Sequence, residues 1–197
     1  MSKIICLIGE SGSGKDTMLK MLLENNIVDK RIVSTTTRPM RVGEQEGREY
    51  YFITEEEYYK SLNNNEFIEQ RVYHTINGDW YYGVRENSID FNADINYVTI
   101  LDYDGYLRYK EYIDNKYNNS SEIIPVFLYA PLQERIRRSI VREGIMNDKQ
   151  CLEVCRRMIA DNKVIGIHID DCEHVLISDD EHKEYNLNYI KELLEEM

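Results

Sequence analysis

The sequence predicts an α/β fold: a parallel sheet flanked by helices, carrying a small β-rich insertion and a helical lid. Three observations predict it. A short apolar run, Ile4 to Ile8, leads straight into a glycine-rich stretch and then into a helical pattern with Met18, Leu19, Met21, Leu22 and Leu23. Further apolar runs at 97–101, 123–129 and 174–177 are continuous rather than alternating, as strands covered on both faces must be. Between these runs lie a Tyr- and Thr-rich segment and an arginine-rich helical one, neither with the character of a core.

The glycine-rich stretch reads Gly9, Glu10, Ser11, Gly12, Ser13, Gly14, Lys15, Asp16, Thr17 and fits the phosphate-binding loop G-x-x-x-x-G-K. In that pattern successive backbone N–H groups and a helix N-terminus surround an anionic phosphate, and side chains in place of the glycines would block its approach. The alternative is a solvated Gly/Ser turn with Lys15 on the surface. The apolar strand before the loop and the helix after it favour phosphate binding, and with it a P-loop NTPase-type sheet. After the lysine the pattern has Ser or Thr, whose hydroxyl holds Mg²⁺; here Asp16 stands there and Thr17 comes one place late.

A chain of 197 residues, 42% of them hydrophobic, supports one good core and an insertion or two within a single domain. The net charge of −12 argues against a nucleic-acid or anionic-membrane partner, either of which needs a basic face. A small anionic ligand needs only local positive charge. The four cysteines, Cys6, Cys151, Cys155 and Cys172, form no C-x-x-C pair and no metal-ligand spacing, so free thiols in a reducing compartment are expected. Cys151 and Cys155 lie one helical turn apart and read as packing residues. The first apolar run is too short for a signal-peptide core, and no later one reaches membrane-spanning length, so a cytoplasmic location is expected.

Taken in order, a fifth and shorter apolar run lies at Ile32 and Val33. The runs end in residues suited to a site rim: Gly9 and Glu10, Ser34 and Thr35, Asp102 and Asp104, Ala130 and Pro131, Ser178 and Asp179. Ligands of open α/β sheets sit at these carboxyl ends. Residues 34–92 hold short alternating runs at 50–53 and 67–73, which predict the β-rich insertion. Within it, Thr54 and Glu57 form a capping box opening a helix to about Leu62, which Asn63, Asn64 and Asn65 end.

Residues 132–163 are helical in pattern and contain Arg135, Arg137, Arg138, Arg142, Arg156 and Arg157. Any one of these reads as a solvated arginine in a local pair such as Glu134 with Arg138. As a group in so acidic a chain they point to phosphate contact, because the guanidinium is a planar, always-charged fork. A turn at 144–148 divides the segment and suits a closing lid. Tyr185, Leu187, Ile190, Leu193 and Leu194 then recur at helical spacing, which predicts a last helix packed on the sheet. His168, Asp170, Asp171, Cys172 and His174 crowd together, but at no standard metal spacing, and read as a loop into the last strand. His74 and His182 are isolated. The expected division is a core of 1–33, 93–130 and 164–197, an insertion of 34–92 and a lid of 131–163.

At STTTRPMRVGEQEGREYYF the chain resembles the guanylate kinase family, whose signature runs S-x-T-T-R-x-x-R-x-G-E-x-x-G-x-x-Y-x-F. Ser34, Thr36, Thr37, Arg38, Arg41, Gly43, Glu44, Gly47, Tyr50 and Phe52 match it. The similarity continues through Glu66 to Glu69, Tyr81 to Gly83 and Ile100 to Asp104 into the basic lid. The resemblance implies Mg-dependent phosphoryl transfer from ATP to a nucleoside monophosphate, GMP or dGMP, bound in the insertion. It implies that Gly9 to Thr17 bind ATP, with Lys15 on the β and γ phosphates. Arg38, Arg41, Glu44, Tyr50 and Tyr82 belong to the monophosphate site, while Ser34, Glu69 and Asp104 read the guanine edge. By the same likeness Arg38 and the lid residues Arg138, Arg142 and Arg157 are catalytic.

Some positions depart from the pattern. Asp16 replaces the hydroxyl residue; a carboxylate holds Mg²⁺ directly or through water, and Asp102 is expected to help through water. Val84 stands where the family has Ser or Thr on the base, and Ser178 where it has Asn near the adenine. The GKDT and YYGV stretches resemble the ribose 1,5-bisphosphate phosphokinases, a second reading that lacks the full arginine signature. A non-catalytic guanylate-kinase-like module that binds protein partners is the third, and the intact loop and arginines weigh against it. Partners are small nucleotides, and the oligomeric state stays open between monomer and homodimer.

Overall fold

The computed structural model describes residues 2–117, 122–144, 147–162 and 169–196. Its elements are β1 (Lys3–Ile8), α1 (Lys15–Glu24), β2 (Lys30–Arg31), β3 (Thr35–Thr36), β4 (Tyr51–Phe52), α2 (Glu55–Asn63), β5 (Phe67–Thr75), β6 (Gly78–Arg85), a single 3₁₀ turn (Glu86–Ser88), β7 (Tyr97–Ile100), α3 (Tyr103–Tyr117), β8 (Glu122–Tyr129), α4 (Leu132–Glu143), α5 (Asp148–Asn162), β9 (His174–Ile177) and α6 (Lys183–Glu196).

β1 lies at the centre of a five-stranded sheet ordered β2-β7-β1-β8-β9, with every pairing parallel. Its side chains alternate between two cores. Ile4, Cys6 and Ile8 pack with Tyr109, Ile113 and Phe127 on one face, and Ile5 and Leu7 with Leu19, Leu22, Leu128 and Ile190 on the other. Both faces are covered, so the sequence shows no polar alternation. The chain passes from β1 to β2 and β7 on one side, then crosses to β8 on the other. The loop after β1 therefore opens at the point where the connections diverge, the crevice in which such sheets bind ligands.

Two expectations about the sheet need correction. The run at Ile32 is paired mainly one step earlier, through Lys30 and Arg31, although Ile32 N–H still donates to Val98 O at 2.9 Å. β9 is an edge strand: Leu176 is buried, while Val175 and Ile177 are 40% and 48% exposed. Among the described residues β8 alone pairs with it.

The insertion forms a second sheet, ordered β4-β3-β6-β5, with β3 and β4 parallel and the remaining pairs antiparallel. A register shift between Phe67 and Glu69 interrupts the β5–β6 ladder, and it lets two successive residues, Ile68 and Glu69, both face inward. α2 begins with the expected capping box. Thr54 Oγ1 accepts from Glu57 N–H at 3.2 Å, and Glu57 Oε2 accepts from Thr54 N–H at 2.8 Å. Thr54→Ala is expected to remove about 1 kcal/mol. Thermal unfolding should then show a Tm lower by about 2–4 °C, and an unchanged Tm would mean the cap contributes nothing.

In α6, Ile190 and Leu193 are buried, but Tyr185 is exposed and Asn186 takes the inward place, donating Nδ2–H to Ile177 O at 2.8 Å. Cys6 and Cys172 are buried free thiols; Cys151 and Cys155, expected to pack, are exposed. α5 turns Val154 and Met158 inward instead. Among the described residues no helix is long and apolar enough to cross a membrane.

Candidate active site

The loop leaves β1 in a conformation that excludes side chains. Gly9 and Gly12 have φ of +146° and +80°, and a Cβ on either would lie 2.6 Å from a carbonyl oxygen, that of Leu128 or of Arg135. Gly14 precedes α1 with no side-chain cap, so no cap competes for the first amides of that helix. Lys15 folds over the loop, its Nζ donating to Gly9 O at 2.6 Å and Glu10 O at 2.9 Å. Desolvation lowers its pKa, while the carboxylates of Asp16, Asp161 and Glu10 pull the other way. Asp16 and Thr17 are exposed in the first turn of α1.

Two partners of this loop were not legible in the sequence. Ser11 N–H donates to Asp161 Oδ2 at 2.7 Å, so a carboxylate from the end of α5 sits on a loop amide and offers the acceptor chemistry of a phosphate oxygen. Arg135 is wholly buried with its Nη1 3.5 Å from Glu10 Oε2. Burial raises the pKa of Glu10, with Arg135 among the opposing charges. One signal was available: unlike Arg137 and Arg138, Arg135 has no acid one helical turn away.

The insertion gathers the residues of the long signature. Arg38 is buried, donating to Glu44 Oε1 at 2.8 Å and to Pro39 O at 2.7 Å, and its guanidinium lies 5.3 Å from the Tyr50 ring centroid. Glu44 Oε2 accepts from Arg41 N–H at 2.7 Å. Glu44 thus braces the two arginines. Burial opposes its charge, but the Arg38 hydrogen bond and the Arg41 amide hold its pKa below the usual carboxylate value. Tyr50 and Tyr82 meet edge-on at 5.7 Å, and burial and that neighbour push the Tyr50 hydroxyl up to about 12. Ser34 is buried at the entrance to β3.

Deeper in the same face, Glu69 is buried with no well-formed side-chain hydrogen bond to either carboxylate oxygen among the described residues, and the Val84 amide lies close by. Arg71 Nη1 stands 3.5 Å from Glu69 Oε1 and 3.6 Å from Asp102 Oδ1. Burial raises the pKa of Glu69 against the pull of Arg71. Asp102 is also desolvated, yet Arg71 and the Tyr73 hydroxyl hold its pKa low. Asp102, expected beside the metal, is committed here: Oδ1 accepts from Gly105 N–H at 2.7 Å and Oδ2 from the Tyr73 hydroxyl. Asp104, expected at the base, is exposed in the first turn of α3.

Of the lid arginines expected to be catalytic, Arg138 reaches the loop. Its Nη2 donates to Ser178 O at 2.7 Å and its Nη1 lies 3.4 Å from Gly12 O and Ser13 O, while Nε keeps the local pair with Glu134 at 2.9 Å. Arg142 and Arg157 share Glu143 Oε1 at 3.5 and 3.4 Å. Arg137 and Arg156 are held by local acids, Glu134 and Glu153. Parts of the lid turn (145–146), of the lid's end and the following core (163–168, including His168), and residue 197 lie outside the described residues.

A glycine loop, Arg138 upon it and a buried Arg38–Glu44 pair beside the second sheet are the main charged features of the site. The model of the guanylate kinase family matches residues 1–197. The chain belongs to the guanylate kinase family. It is 31% identical over 183 residues to the guanylate kinase of Mesomycoplasma hyopneumoniae, covering 87% of this chain and 90% of that one. With the guanylate kinase of Anaplasma phagocytophilum it shares 29% over 192 residues, 90% of this chain and 79% of the other. The crystal structure of guanylate kinase from Anaplasma phagocytophilum superposes with a TM-score of 0.68 at 24% identity, covering 98% of this chain and 85% of that chain, which places this guanylate kinase family member in the same fold.

Proposed function

We propose that this chain transfers the γ-phosphoryl group of ATP to GMP, giving ADP and GDP. The observation that supports this acceptor best is Glu69, a buried carboxylate with no well-formed side-chain hydrogen bond, near the inner end of the face that carries Arg38. Guanine presents N1–H and a 2-amino group side by side, and one carboxylate accepts from both. Ser34 and Asp104 complete the base site as the lid and insertion close. Arg38, Arg41, Tyr50 and Tyr82 hold the acceptor phosphate, with Glu44 bracing the arginines. The core, insertion and lid divide at 34, 93, 131 and 164.

Donor binding falls to the loop amides and to Lys15, which swings from its own loop's carbonyls to the β and γ phosphates. Arg138 is already beside the loop; Arg142 and Arg157 turn from Glu143 as the lid closes. The acceptor oxygen is anionic before reaction, so no strong base is required. The work is alignment and the neutralisation of charge on the transferring group, in a site from which water is excluded.

Asp16 fits a Mg²⁺ role: it is an exposed, hard oxygen donor in the first turn of α1, next to Lys15. Among the described residues no group of three acidic, His or Cys side chains stands together, so Asp16 is the carboxylate that would hold the ion here. Bound there, it supplies charge neutralisation across the phosphates.

A coupled assay over GMP, dGMP, AMP, CMP, UMP and ribose 1,5-bisphosphate tests the reading. Guanine nucleotides should lead. Turnover of ribose 1,5-bisphosphate in preference to GMP would select the sugar kinase, and no turnover of any acceptor would select the protein-binding module. The Asp161 contact adds its own test, since ATP must displace that carboxylate from Ser11 N–H. Asp161→Ala is expected to tighten ATP binding by about 2–10-fold, the worth of one net hydrogen bond. Calorimetric titration showing unchanged or weaker binding would remove Asp161 from that role.

A further inference from the structure

We propose that Arg71 is a specificity-determining residue for the acceptor base, donating to guanine O6 and N7 while Glu69 accepts from N1–H and the 2-amino group. The proposal rests on GMP as the acceptor and adds a residue to its site that the family signature does not supply.

The geometry comes from β5. Residues two apart on a strand share a face, and Arg71 follows Glu69 at that spacing beyond the register shift. Their charged ends converge to 3.5 Å, and Arg71 Nη1 is held equally far, at 3.6 Å, from Asp102 on the opposite side. Both separations are too long for good hydrogen bonds. Arg71 Nε and Nη1 and both Glu69 oxygens are consequently buried without hydrogen-bond partners. Buried donors and acceptors are almost always well paired, so two adjacent charged side chains whose polar atoms meet only at ion-pair distance call for a ligand.

The order of these groups is the order of guanine's own edge. Around the ring come the 2-amino group and N1–H as donors, then O6 and N7 as acceptors. Along β5 comes a carboxylate, then a guanidinium, whose fork matches O6 and N7 together. Adenine would set its 6-amino donor against the same guanidinium, two donors facing each other. Val84, paired with Glu69 on β6, is apolar and buried, so that position offers no hydroxyl to the base. Gly105 keeps the space open, because a Cβ there would come within 2.4 Å of Arg71 Nη1. Asp102, fixed by Gly105 N–H and the Tyr73 hydroxyl, steadies the guanidinium from behind.

The rival role for Arg71 is charge neutralisation alone, between Glu69 and Asp102. Substrate atoms separate the two. kcat/KM is measured for GMP, 6-thio-GMP and 7-deaza-GMP with the unaltered protein and with Arg71→Lys and Arg71→Met. The unaltered protein should prefer GMP to each analogue by about 10–100-fold, as expected for a charged hydrogen bond lost. Arg71→Lys keeps the positive charge but not the fork, and its preference over 7-deaza-GMP should fall close to one; in Arg71→Met both preferences should vanish. Preferences in the variants equal to those of the unaltered protein overturn the proposal. So does an unaltered protein that treats the three nucleotides alike, a result that needs no variant to fold. Failure to phosphorylate GMP at all would strike the parent reading instead, and this one with it.

Discussion

Lys15→Ala is expected to lower kcat/KM by at least about 10²–10³-fold with every acceptor alike, the loss typical of removing one preorganised charge from a transition state. The uniformity matters more than the size. The proposed place of Lys15 is on the donor phosphates, and a loss there is independent of which base or sugar accepts the phosphoryl group. The side chain also straps the loop through Gly9 O and Glu10 O, and a small decrease in Tm should accompany the kinetic effect. Activity close to that of the unaltered protein, or a loss confined to one acceptor, would show that Lys15 does not hold the donor. The steady-state assay over the nucleotide panel gives both answers.

The second large effect is Glu69→Ala. Phosphorylation of GMP and dGMP should fall by about 10²–10⁴-fold while the weak activity toward AMP, CMP and UMP stays within a few-fold, because a site built for a substrate's N–H groups discriminates strongly by them. Equal loss on all bases would remove Glu69 from base reading. pH supplies an independent signature. Burial makes Glu69 keep its proton to a higher pH than an ordinary glutamate, despite Arg71. GMP needs the ionised form, so KM for GMP should climb as pH falls through that raised value, and Glu69→Gln should flatten the profile. For stability the sign is opposite to that of Glu44 and Asp102. Folded Glu69 binds its proton more tightly than the unfolded chain does, so it destabilises the fold above its folded pKa; this penalty fades as pH falls through the folded value and is gone below the unfolded one. Glu44 and Asp102, held low by their partners, stabilise above the unfolded value and lose that contribution as pH falls through the folded one.

Much of this site was legible in the chain. The loop was readable because its glycines are demanded by backbone geometry within nine residues, and the capping box because both partners lie three residues apart. Arg38, Arg41 and Glu44 lie close together in sequence and meet in space. Asp102 was harder: at the strand-to-helix junction the Gly105 amide holds its carboxylate, which lies beside Arg71. Cys151 and Cys155 were misread because helical spacing alone does not say which stripe faces α4.

The sequence by itself determined the α/β class, the central buried strands and the conformation of the glycine loop, since burial period and glycine conformation are local properties. Only the tertiary structure decided which charges meet: Asp161 on Ser11, across 150 residues, Arg135 on Glu10, and Arg71 between Glu69 and Asp102. Such pairs depend on which strand ends the sheet order brings side by side, and a local pattern carries no record of that.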